Sequence, residues 1–345
     1  MSLFMKELDR RISVAPMMDW TDRHCRYFLR GFSPAAVLYT EMITAAAIVR
    51  GDRRRLLAFD PEEHPVALQL GGSDPKQLAA AARAGADVGY DEINLNCGCP
   101  SDRVASGAFG ACLMLEPALV GECVAAMINA VNVPVTVKMR IGVISARARE
   151  AALAVASFSE AEFENLREFV ATVQTAGCQV AIVHARQAVL GGLSPKDNRE
   201  VPPLRYDVVG RLRQAFPTLP LIVNGGLRDV AGVSAALDWC DGVMLGREAY
   251  HRPYLLAELQ ERLHPGSSTS SREELLDRMA GYARRELEAG TRLSAITRHM
   301  LGLYSGQPGA RDYRRTLSEG ARLPGAGPQL LRQAIPARVP QEVPL

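Results

Sequence analysis

The chain carries the apolar runs VAIVH (Val180–His184), PLIVN (Pro220–Asn224) and DGVML (Asp241–Leu245). They are rich in Val, Ile and Leu and scarcely alternate with polar residues, which is typical of strands buried on both faces. Five earlier runs share this pattern: RISVAPM (Arg11–Met17), AVLYT (Ala36–Thr40), PVALQL (Pro65–Leu70), DEINLN (Asp91–Asn96) and PVTVKM (Pro134–Met139). Each interval between runs has room for one helix, so the sequence predicts an α/β fold, a (β/α)8 TIM barrel.

The rival fold is a doubly wound open sheet. No Gly-x-Gly-x-x-Gly motif follows the first run, which disfavours that rival. The strand pattern stops near Pro253, and HPGSSTSS (His264–Ser271) has the composition of a linker. We therefore predict a barrel domain over residues 1–260, a C-terminal all-helical domain over 272–323 and a loosely ordered tail over 324–345.

The overall composition is that of a globular protein. Of the 345 residues, 48% are hydrophobic, and the formal net charge is +2. These values exclude wholesale disorder and disfavour a protein that coats nucleic acid by bulk electrostatics. No stretch approaches ~18 uninterrupted apolar residues and the opening residues lack an apolar segment, so we expect neither a membrane span nor a secretory signal. Seven cysteines, an odd number, do not indicate a disulfide framework. We expect a cytoplasmic protein.

Glycines stand at the carboxyl ends of the last two predicted strands, where the active sites of such barrels lie. Gly225-Gly226 follow the seventh run, and Gly246-Arg247 follow the eighth. Loops at these two places often bind phosphate, because glycines let backbone N–H groups approach an anion. The pattern favours a phosphate-binding site, and the alternative is that the glycines only permit tight turns.

Cationic side chains stand at the ends of two other strands. A buried lysine is costly unless it meets an anion, and a reduced flavin ring, which is anionic near N1, would suit Lys138. The alternative is a side chain that snorkels to solvent. His184 and Arg186 share one pleat face, so both can reach one anionic ligand. We interpret His184 as a ligand contact rather than as a general acid or base.

The motif Cys97-Gly98-Cys99-Pro100 has three interpretations. A metal site is disfavoured, because no second cysteine pair follows at zinc spacing. Buried core thiols are plausible, since free cysteine is often fully buried. The third interpretation is an active-site acid, because a thiol is mostly protonated at neutral pH. Gly98 and Pro100 would then fix a tight turn that presents Cys99 at the strand end.

Taken together, these motifs resemble the tRNA-dihydrouridine synthases, and most closely the A-type branch that acts on the D-loop. The similar stretches run in order from about Ile12 to Glu319: SVAPMMDWTDRHCRYFLR, LYTEMITAAAI, ALQLGGSDP, YDEINLNCGCPSDRVASGAFGACLM, VTVKMRIG, VHARQAVLGGLSPKDNREVPPL, NGG, DGVMLGREAY and ITRHMLGLYSGQPGARDYRRTLSE. So many matches in order are far more specific than any single motif.

The resemblance implies a barrel that holds FMN and reduces the C5=C6 bond of a tRNA uridine, expected at positions 20 and 20a, with NADPH as the reductant. It implies that Cys99 donates the proton to C5 and that Asn96 touches the uridine. The residues implied to contact the flavin are Pro16, Met17, Met18, Gln69, Lys138, His184, Asn224, Gly225, Gly226, Gly246 and Arg247.

The resemblance also implies that the helical domain binds tRNA. Residues 291–322 carry six arginines against Asp312 and Glu319, with Tyr304 and Tyr313 interleaved. The alternative is a solvated helix face. The residues implied to contact substrate or tRNA are Asn96, Arg140, Arg186, Lys196, Arg199, Arg298, Leu301, Arg311, Arg314 and Arg315. We expect a monomer with neither a metal nor a membrane partner.

The sequence departs from the A-type pattern at three places. Met139 stands where histidine is usual, and Cys97 stands where valine is usual. The alanine-rich segment Ile144–Glu164 resembles an insertion, either an extra helix or a mobile excursion. Two other functions stay open. A flavin barrel acting on a free pyrimidine would not need the arginine-rich appendage, and an RNA-binding module on a degenerate barrel would not need Cys99 and Lys138.

Overall fold

The computed structural model describes residues 8–100, 109–145, 158–191, 193–267 and 269–336. Contacts divide the chain into two compact units. The first unit comprises Met1–Met18 and Ala36–Gly246, and the second comprises Asp19–Ala35 and Arg247–Leu345. This division by contacts differs from the division by sequence, because residues 19–35 and 247–260 belong to the unit that contains the C-terminal helices.

A closed barrel of parallel strands forms the centre of the first unit. The strands of this unit are β1 (Ile12–Val14), β2 (Val37–Tyr39), β3 (Ile43–Thr44), β4 (Val66–Gly71), β5 (Glu92–Cys97), β6 (Val135–Arg140), β7 (Val143–Ser145), β8 (Ala181–His184), β9 (Ala188–Leu190), β10 (Leu221–Asn224) and β11 (Gly242–Leu245). The order around the barrel is β1, β2, β4, β5, β6, β8, β10 and β11, which pairs again with β1. Each barrel strand lies in one of the eight predicted runs and extends past it by at most one residue, which confirms the predicted (β/α)8 fold.

Three further strands, β3, β7 and β9, lie outside the eight predicted runs. In β3, Ile43 lies opposite Leu70 of β4. Strands β7 and β9 form a separate parallel pair, in which Val143 lies opposite Ala188. Strand β7 begins at the edge of the segment predicted to be an insertion, and residues 146–157 of that segment lie outside the described residues.

Helices follow most of the barrel strands, and local capping explains where they begin and end. The helices of this unit are Ala45–Arg50, Arg53–Leu56, Pro75–Val88, Pro117–Ile128, Glu160–Thr175, Tyr206–Ala215 and Val230–Leu237, with 3-10 turns at Pro61–Glu63, Gly110–Leu115 and Asp197–Arg199. The Asp74 carboxylate caps the start of Pro75–Val88, and Gly89 ends that helix with a left-handed φ of +104°. Ser159 and Glu162 form a capping box at the start of Glu160–Thr175.

The barrel interior has a polar wall and an apolar remainder. On β5 and β6, Asn94 lies opposite Thr136, and Asn96 lies opposite Lys138. These side chains alternate with outward-facing apolar residues, as the pleat of a strand requires. The apolar core cluster consists of Leu8, Ala15, Val37, Tyr39, Ala67, Val180, Ile182, Ile222 and Met244. The polar wall therefore belongs mainly to two adjacent strands.

Helices are the regular elements of the second unit within its described residues, and turns and irregular segments connect them. Its helices are Arg23–Arg30, Arg247–His251, Leu255–Leu263, Arg272–Glu288, Leu293–Thr297, Ala310–Gly320 and Gln329–Gln333. The rings of Tyr27 and Tyr282 stack with their centroids 4.0 Å apart, which joins the first of these helices to the fourth. None of the helices in the described part of the chain combines the length and apolar character that crossing a bilayer requires.

The segment expected to be a loosely ordered tail contains the helix Gln329–Gln333. Leu331 and Ala334 are buried there, and burial of apolar surface is sufficient to hold a short helix in place. The prolines of this segment led to the expectation of a loosely ordered tail. Those nearest to the helix flank it and do not interrupt it, so a helix can form between them. Residues 337–345 lie outside the described residues.

Gly242 at the start of β11 leaves no room for a side chain. A Cβ there would meet the carbonyl oxygen of Arg10 and lie 2.6 Å from Cδ1 of Ile222. We expect Gly242→Ala to lower the free energy of unfolding by about 1–3 kcal/mol through overpacking, measured by urea denaturation. Gly210→Ala is the matched control, because nothing lies within 4 Å of a Cβ at that helical position and alanine is favoured there. Equal stability of the two variants would contradict this account.

Candidate active site

Side chains from four adjacent strands converge at the carboxyl end of the barrel. Asn96 of β5 lies opposite Lys138 of β6, and Arg140 of β6 lies opposite His184 of β8. His184 in turn lies opposite Asn224 of β10. The structure thus brings together residues that the sequence placed at separate strand ends.

A column of hydrogen-bonded side chains leads from the barrel interior to this rim. We name it the polar column, and it consists of Glu92, Thr136, Asn94, Gln69 and Asn96. Thr136 Oγ1 donates to Glu92 Oε1 (2.5 Å) and accepts from Asn94 Nδ2 (2.8 Å). Gln69 Nε2 donates to Asn94 Oδ1, and Asn96 Nδ2 donates to Gln69 Oε1, both at 2.8 Å. No member is more than 9% exposed, so water has little access to these bonds.

Glu92 is the lower end of the polar column. Its carboxylate accepts a hydrogen bond from the Tyr39 hydroxyl (2.5 Å) and forms an ion pair with Arg10. A buried carboxylate is tolerated when it is paired and hydrogen-bonded in this way. The sequence alone assigned no role to Glu92, Asn94 and Thr136. The available signal was the presence of polar residues at alternate positions of two otherwise apolar runs.

Asn96 is the upper end of the column and fixes the turn that carries Cys99. Its Oδ1 accepts hydrogen bonds from the backbone amides of Gly98 and Cys99, each at 3.0 Å. The carbonyl of Cys99 accepts from the Ala111 amide (2.9 Å), and that of Gly98 accepts from Arg140 Nε (3.1 Å). The turn is therefore held from both sides, while Cys99 stays partly exposed at the rim.

Cys97 and Cys99 have different environments. Cys97 is fully buried, and burial raises the pKa of its thiol well above the usual range, with a smaller contribution from Cys123. Cys97 is therefore a core thiol, as one interpretation of the motif expected. Among the described residues, no three His, Cys, Asp or Glu side chains are grouped as metal ligands would be.

Lys138 lies largely enclosed at the end of β6. Burial, assisted by the charge of Arg140, lowers the pKa of its ammonium group to about 7, against a smaller opposing effect of Cys99. Lys138 Nζ donates to Asn224 Oδ1 (3.1 Å), and Asn224 Nδ2 donates to the Met244 carbonyl (2.7 Å). Asn224 is thereby oriented with its oxygen toward the ammonium group. Lys138 therefore has a neutral hydrogen-bond partner rather than a counter-charge.

Arg140 and His184 complete the electrostatics of the mouth. Burial lowers the pKa of Arg140 to about 10, so the guanidinium stays charged at pH 7. Burial, together with the charges of Arg140 and Lys138, lowers the pKa of His184 well below its usual range. The imidazole is therefore neutral at pH 7. A charged guanidinium, a partly charged ammonium group and a neutral histidine in a partly enclosed mouth favour an anionic ligand.

The loop after β10 brings its backbone close to this cluster. Gly225 and Gly226 have φ of +108° and +76°, in the left-handed region that favours glycine. A Cβ at Gly225 would lie 2.9 Å from Nε2 of His184, and one at Gly226 would collide with Leu204. After β11, by contrast, nothing lies within 4 Å of a Cβ at Gly246. Glycine is therefore required at positions 225 and 226, where a side chain would collide with His184 or Leu204, whereas Gly246 borders open space.

The residues after β1 stand at the same end of the barrel strands. Pro16 and Met17 are half-buried, and Met17 packs against the apolar core cluster. Met18 is 57% exposed, so its side chain is available to a ligand rather than used in the core.

The loop after β8 carries further cations. Lys196 and Arg199 are exposed, at and next to the 3-10 turn Asp197–Arg199. Between them, the buried side chain of Asn198 accepts from the Val189 amide (2.8 Å) and donates to the Val189 carbonyl (3.0 Å). Arg186 donates to the carbonyl oxygens of residues 200 and 202. The loop is thus anchored while its cations face solvent.

In the helical unit, Arg311, Arg314 and Arg315 are exposed on Ala310–Gly320. Arg315 pairs with Asp312 (2.9 Å), whereas Arg311 and Arg314 form no ion pair with any other described residue. Tyr304 and Tyr313, which lie among the arginines of this region in sequence, are both buried and pack on each other with ring centroids 4.7 Å apart. They are core residues, so the interleaved tyrosines do not form a stacking surface for bases.

The remaining predicted residues of the helical unit are partly exposed. Leu301 is half-buried, and Arg247 begins the helix Arg247–His251. Arg298 forms an ion pair with Asp22 (2.5 Å), which also accepts from His299 (3.0 Å). Burial opposes the ionisation of Asp22, but its hydrogen bonds with His299 and Arg298 outweigh burial and lower the pKa of the carboxyl.

The fold and the site together define a (β/α)8-barrel enzyme with a cationic, amide-lined mouth. The family model described as Dihydrouridine synthase (Dus) matches residues 13–339 of the chain. The chain is 54% identical over 324 residues to the tRNA-dihydrouridine(20/20a) synthase of Xanthomonas campestris, covering 94% of this chain and 92% of that protein. It is 53% identical to the Synechocystis protein of the same name (95% and 94% covered) and 51% identical to that of Vibrio cholerae (96% and 97% covered). The chain belongs to the dihydrouridine synthase family.

Lys138 destabilises the ligand-free fold at neutral pH, because folding lowers the pKa of its ammonium group from 10.5 to about 7. The destabilisation is complete below the folded pKa and disappears as the pH rises past the unfolded pKa. We expect Lys138→Met to raise the free energy of unfolding at pH 7 by on the order of 2–4 kcal/mol, with a gain that shrinks toward pH 10. Urea denaturation at several pH values measures this difference. Lys76→Met, at an exposed position, is the control, and a gain for Lys138→Met that grows with pH would contradict the assignment.

Proposed function

We propose that this protein reduces the C5=C6 bond of uridine to dihydrouridine in the D-loop of tRNA, at positions 20 and 20a, with bound FMN and with NADPH as the reductant. The observation that carries the proposal is the turn of Cys99, which is fixed by Asn96 beside the half-buried Lys138 and the buried Arg140. The names of the three relatives supply the substrate class. A monomer in the cytoplasm is part of the proposal.

The residues at the mouth fit FMN. Gly225 and Gly226 let the backbone of this loop pass close to His184 and Leu204, and the space beside Gly246 is open; glycine-rich loops at these two places of a barrel accommodate phosphate. Lys138 has Asn224 as its hydrogen-bond partner among the described residues, so it suits a ring that is anionic when reduced. When bound, FMN would supply to C6 of uridine a hydride that comes from NADPH. The other residues proposed to hold it are Pro16, Met17, Met18, Gln69, His184 and Arg247.

Cys99 is proposed to supply the proton. Hydride addition at C6 leaves negative charge on C5 and on the conjugated C4 carbonyl, so C5 then accepts a proton. The Cys99 thiol gives up its hydrogen and becomes a thiolate, which regains a proton from solvent. Cys99 lies close enough to Lys138 and Arg140 for charge on its sulfur to raise the pKa of both cations.

The substrate has to reach the mouth as a base removed from its stack. Asn96 is proposed to touch that base, since its side chain lies at the rim. Exposed arginines and lysines supply contacts to RNA phosphates, which give affinity without reading sequence. The residues proposed for tRNA contact are Arg140, Arg186, Lys196, Arg199, Arg298, Leu301, Arg311, Arg314 and Arg315.

Cys99→Ala tests the proton donor. We expect dihydrouridine formation in tRNA to fall by about 100-fold or more, because a positioned acid contributes roughly that much, while the visible absorbance of bound flavin is retained. Mass spectrometry of the tRNA product measures the first quantity. Cys112→Ala is the matched control, since Cys112 is also a partly exposed thiol of the barrel unit.

Three results would contradict parts of the proposal. Wild-type turnover in Cys99→Ala would remove its role as proton donor. A wild-type protein that does not take up FMN would remove the flavin. Reduction of free uridine as fast as of tRNA would favour a barrel enzyme of free pyrimidines.

Arg311→Glu combined with Arg314→Glu tests the helical unit. Because both side chains are exposed and unpaired among the described residues, we expect tRNA binding to weaken by roughly tenfold or more and the salt dependence of binding to lose about two units of slope. NADPH oxidation without tRNA should be unchanged. Arg83→Glu, on the exposed face of Pro75–Val88, is the control for a charge reversal elsewhere, and equal tRNA affinity in both variants would overturn the assignment.

A further inference from the structure

Every hydrogen bond in the polar column points the same way. Thr136 has one O–H to donate, and the carboxylate of Glu92 only accepts. With its proton committed to Glu92, Thr136 offers only an acceptor to Asn94. Asn94 therefore turns its NH2 group to Thr136 (2.8 Å) and its oxygen to Gln69. Because the oxygen of Asn94 needs a donor, Gln69 turns its NH2 group to Asn94 and its own oxygen to Asn96.

The upper end of the column requires the same direction. The backbone amides of Gly98 and Cys99 only donate, so they need the oxygen of Asn96 and not its NH2 group. The NH2 group of Asn96 is then left to face Gln69. Both ends thus fix one orientation of three consecutive amides, and a buried carboxylate at the bottom sets the hydrogen-bonding geometry of a turn at the rim.

We infer that Thr136 and Asn94 are positioning residues for Cys99, because they hold the Asn96 amide in the orientation that fixes the Cys99 turn. Both side chains are completely buried, and their hydrogen bonds reach no residue of the rim directly. The inference rests on the proposed function, in which Cys99 donates a proton.

The substitution Thr136→Val isolates this role, because valine has nearly the same shape and lacks the hydroxyl. The NH2 group of Asn94 would then have no acceptor in a dry interior, which is unfavourable. The column can relieve this only by turning its amides, and that would place the NH2 group of Asn96 against two N–H donors. The orientation of Asn96 is then less strongly determined, and the Cys99 turn loosens.

Two further variants distinguish an effect of the polar column from a general loss of core stability. Tyr39 and Thr136 both donate to Glu92 Oε1 at 2.5 Å, but only Thr136 continues the column to Asn94. Tyr39→Phe therefore removes a hydroxyl from the same carboxylate oxygen without cutting the column. Thr136→Ser restores the donor and should restore wild-type behaviour.

Amide hydrogen exchange of the full-length protein is the first measurement. In Thr136→Val we expect the amides of Gly98 and Cys99 to exchange roughly threefold faster or more, because they lose a well-oriented acceptor. The amides of Leu221–Asn224 should keep their wild-type rates, which excludes global loosening. Tyr39→Phe and Thr136→Ser should match the wild type at all of these amides.

Steady-state kinetics of the holoenzyme is the second measurement. We expect kcat for dihydrouridine formation in Thr136→Val to fall on the order of tenfold, the usual effect of losing one buried hydrogen bond. The KM for tRNA should change little, because the cationic residues proposed to contact tRNA lie outside the polar column.

Unchanged exchange of Gly98 and Cys99 in a folded Thr136→Val protein would overturn the inference, as would faster exchange with a wild-type kcat or an equal effect of Tyr39→Phe. If Thr136→Val does not fold, Thr136→Ala makes the same prediction. Exchange tests the column without turnover, whereas Cys99→Ala tests the reaction without altering the column, so failure of the inference and failure of the proposed function are distinguishable.

Discussion

A carboxylate enclosed in a barrel has to be neutralised and fully hydrogen-bonded, and the interior of this protein is organised around Glu92 for that reason. Arg10 supplies the opposite charge, while Tyr39 and Thr136 supply hydroxyl donors. Removing a partner from such a group leaves an uncompensated buried charge. Residues on β2, β5 and β6 and in the segment before β1 are consequently fixed relative to one another, and the amides above Glu92 take their direction from it.

The buried carboxylate of Glu92 requires a positive charge beside it, whereas the mouth of the barrel carries positive charge and requires an anion. Lys138 and Arg140 lie at its rim, and burial lowers the pKa of both. Without a ligand, positive charge held there lowers the free energy of unfolding. A bound anion raises that free energy again. Ligand affinity and conformational stability are therefore linked through the same two side chains. In the proposed function, the reduced and anionic cofactor is the form that these cations favour.

The barrel was predictable because its eight strands lie in runs rich in Val, Ile and Leu, whereas the two residues of Ile43–Thr44 leave no periodicity to detect. Spacing along the chain also misplaced Tyr304 and Tyr313, since alternation with arginines does not reveal which face of a helical segment is buried. The polar column required knowledge of the sheet register: Gln69 and Asn94 are 25 residues apart in sequence, and only the pairing of β4 with β5 makes them neighbours. The roles of the rim residues were accessible through family resemblance rather than through spacing.

Arg140 ties three backbone segments together, because its guanidinium donates to the carbonyl oxygens of Gly98, Gln187 and Asn198 at 3.1, 3.0 and 2.8 Å. One rigid, planar group therefore sets the distances between the turn of Cys99 and the loop after β8. For protein engineering, the two loops form a single exchangeable module. A substrate loop grafted from another barrel without its partner turn would have to reproduce the spacing of these carbonyls, and a lysine in place of Arg140 could not span them.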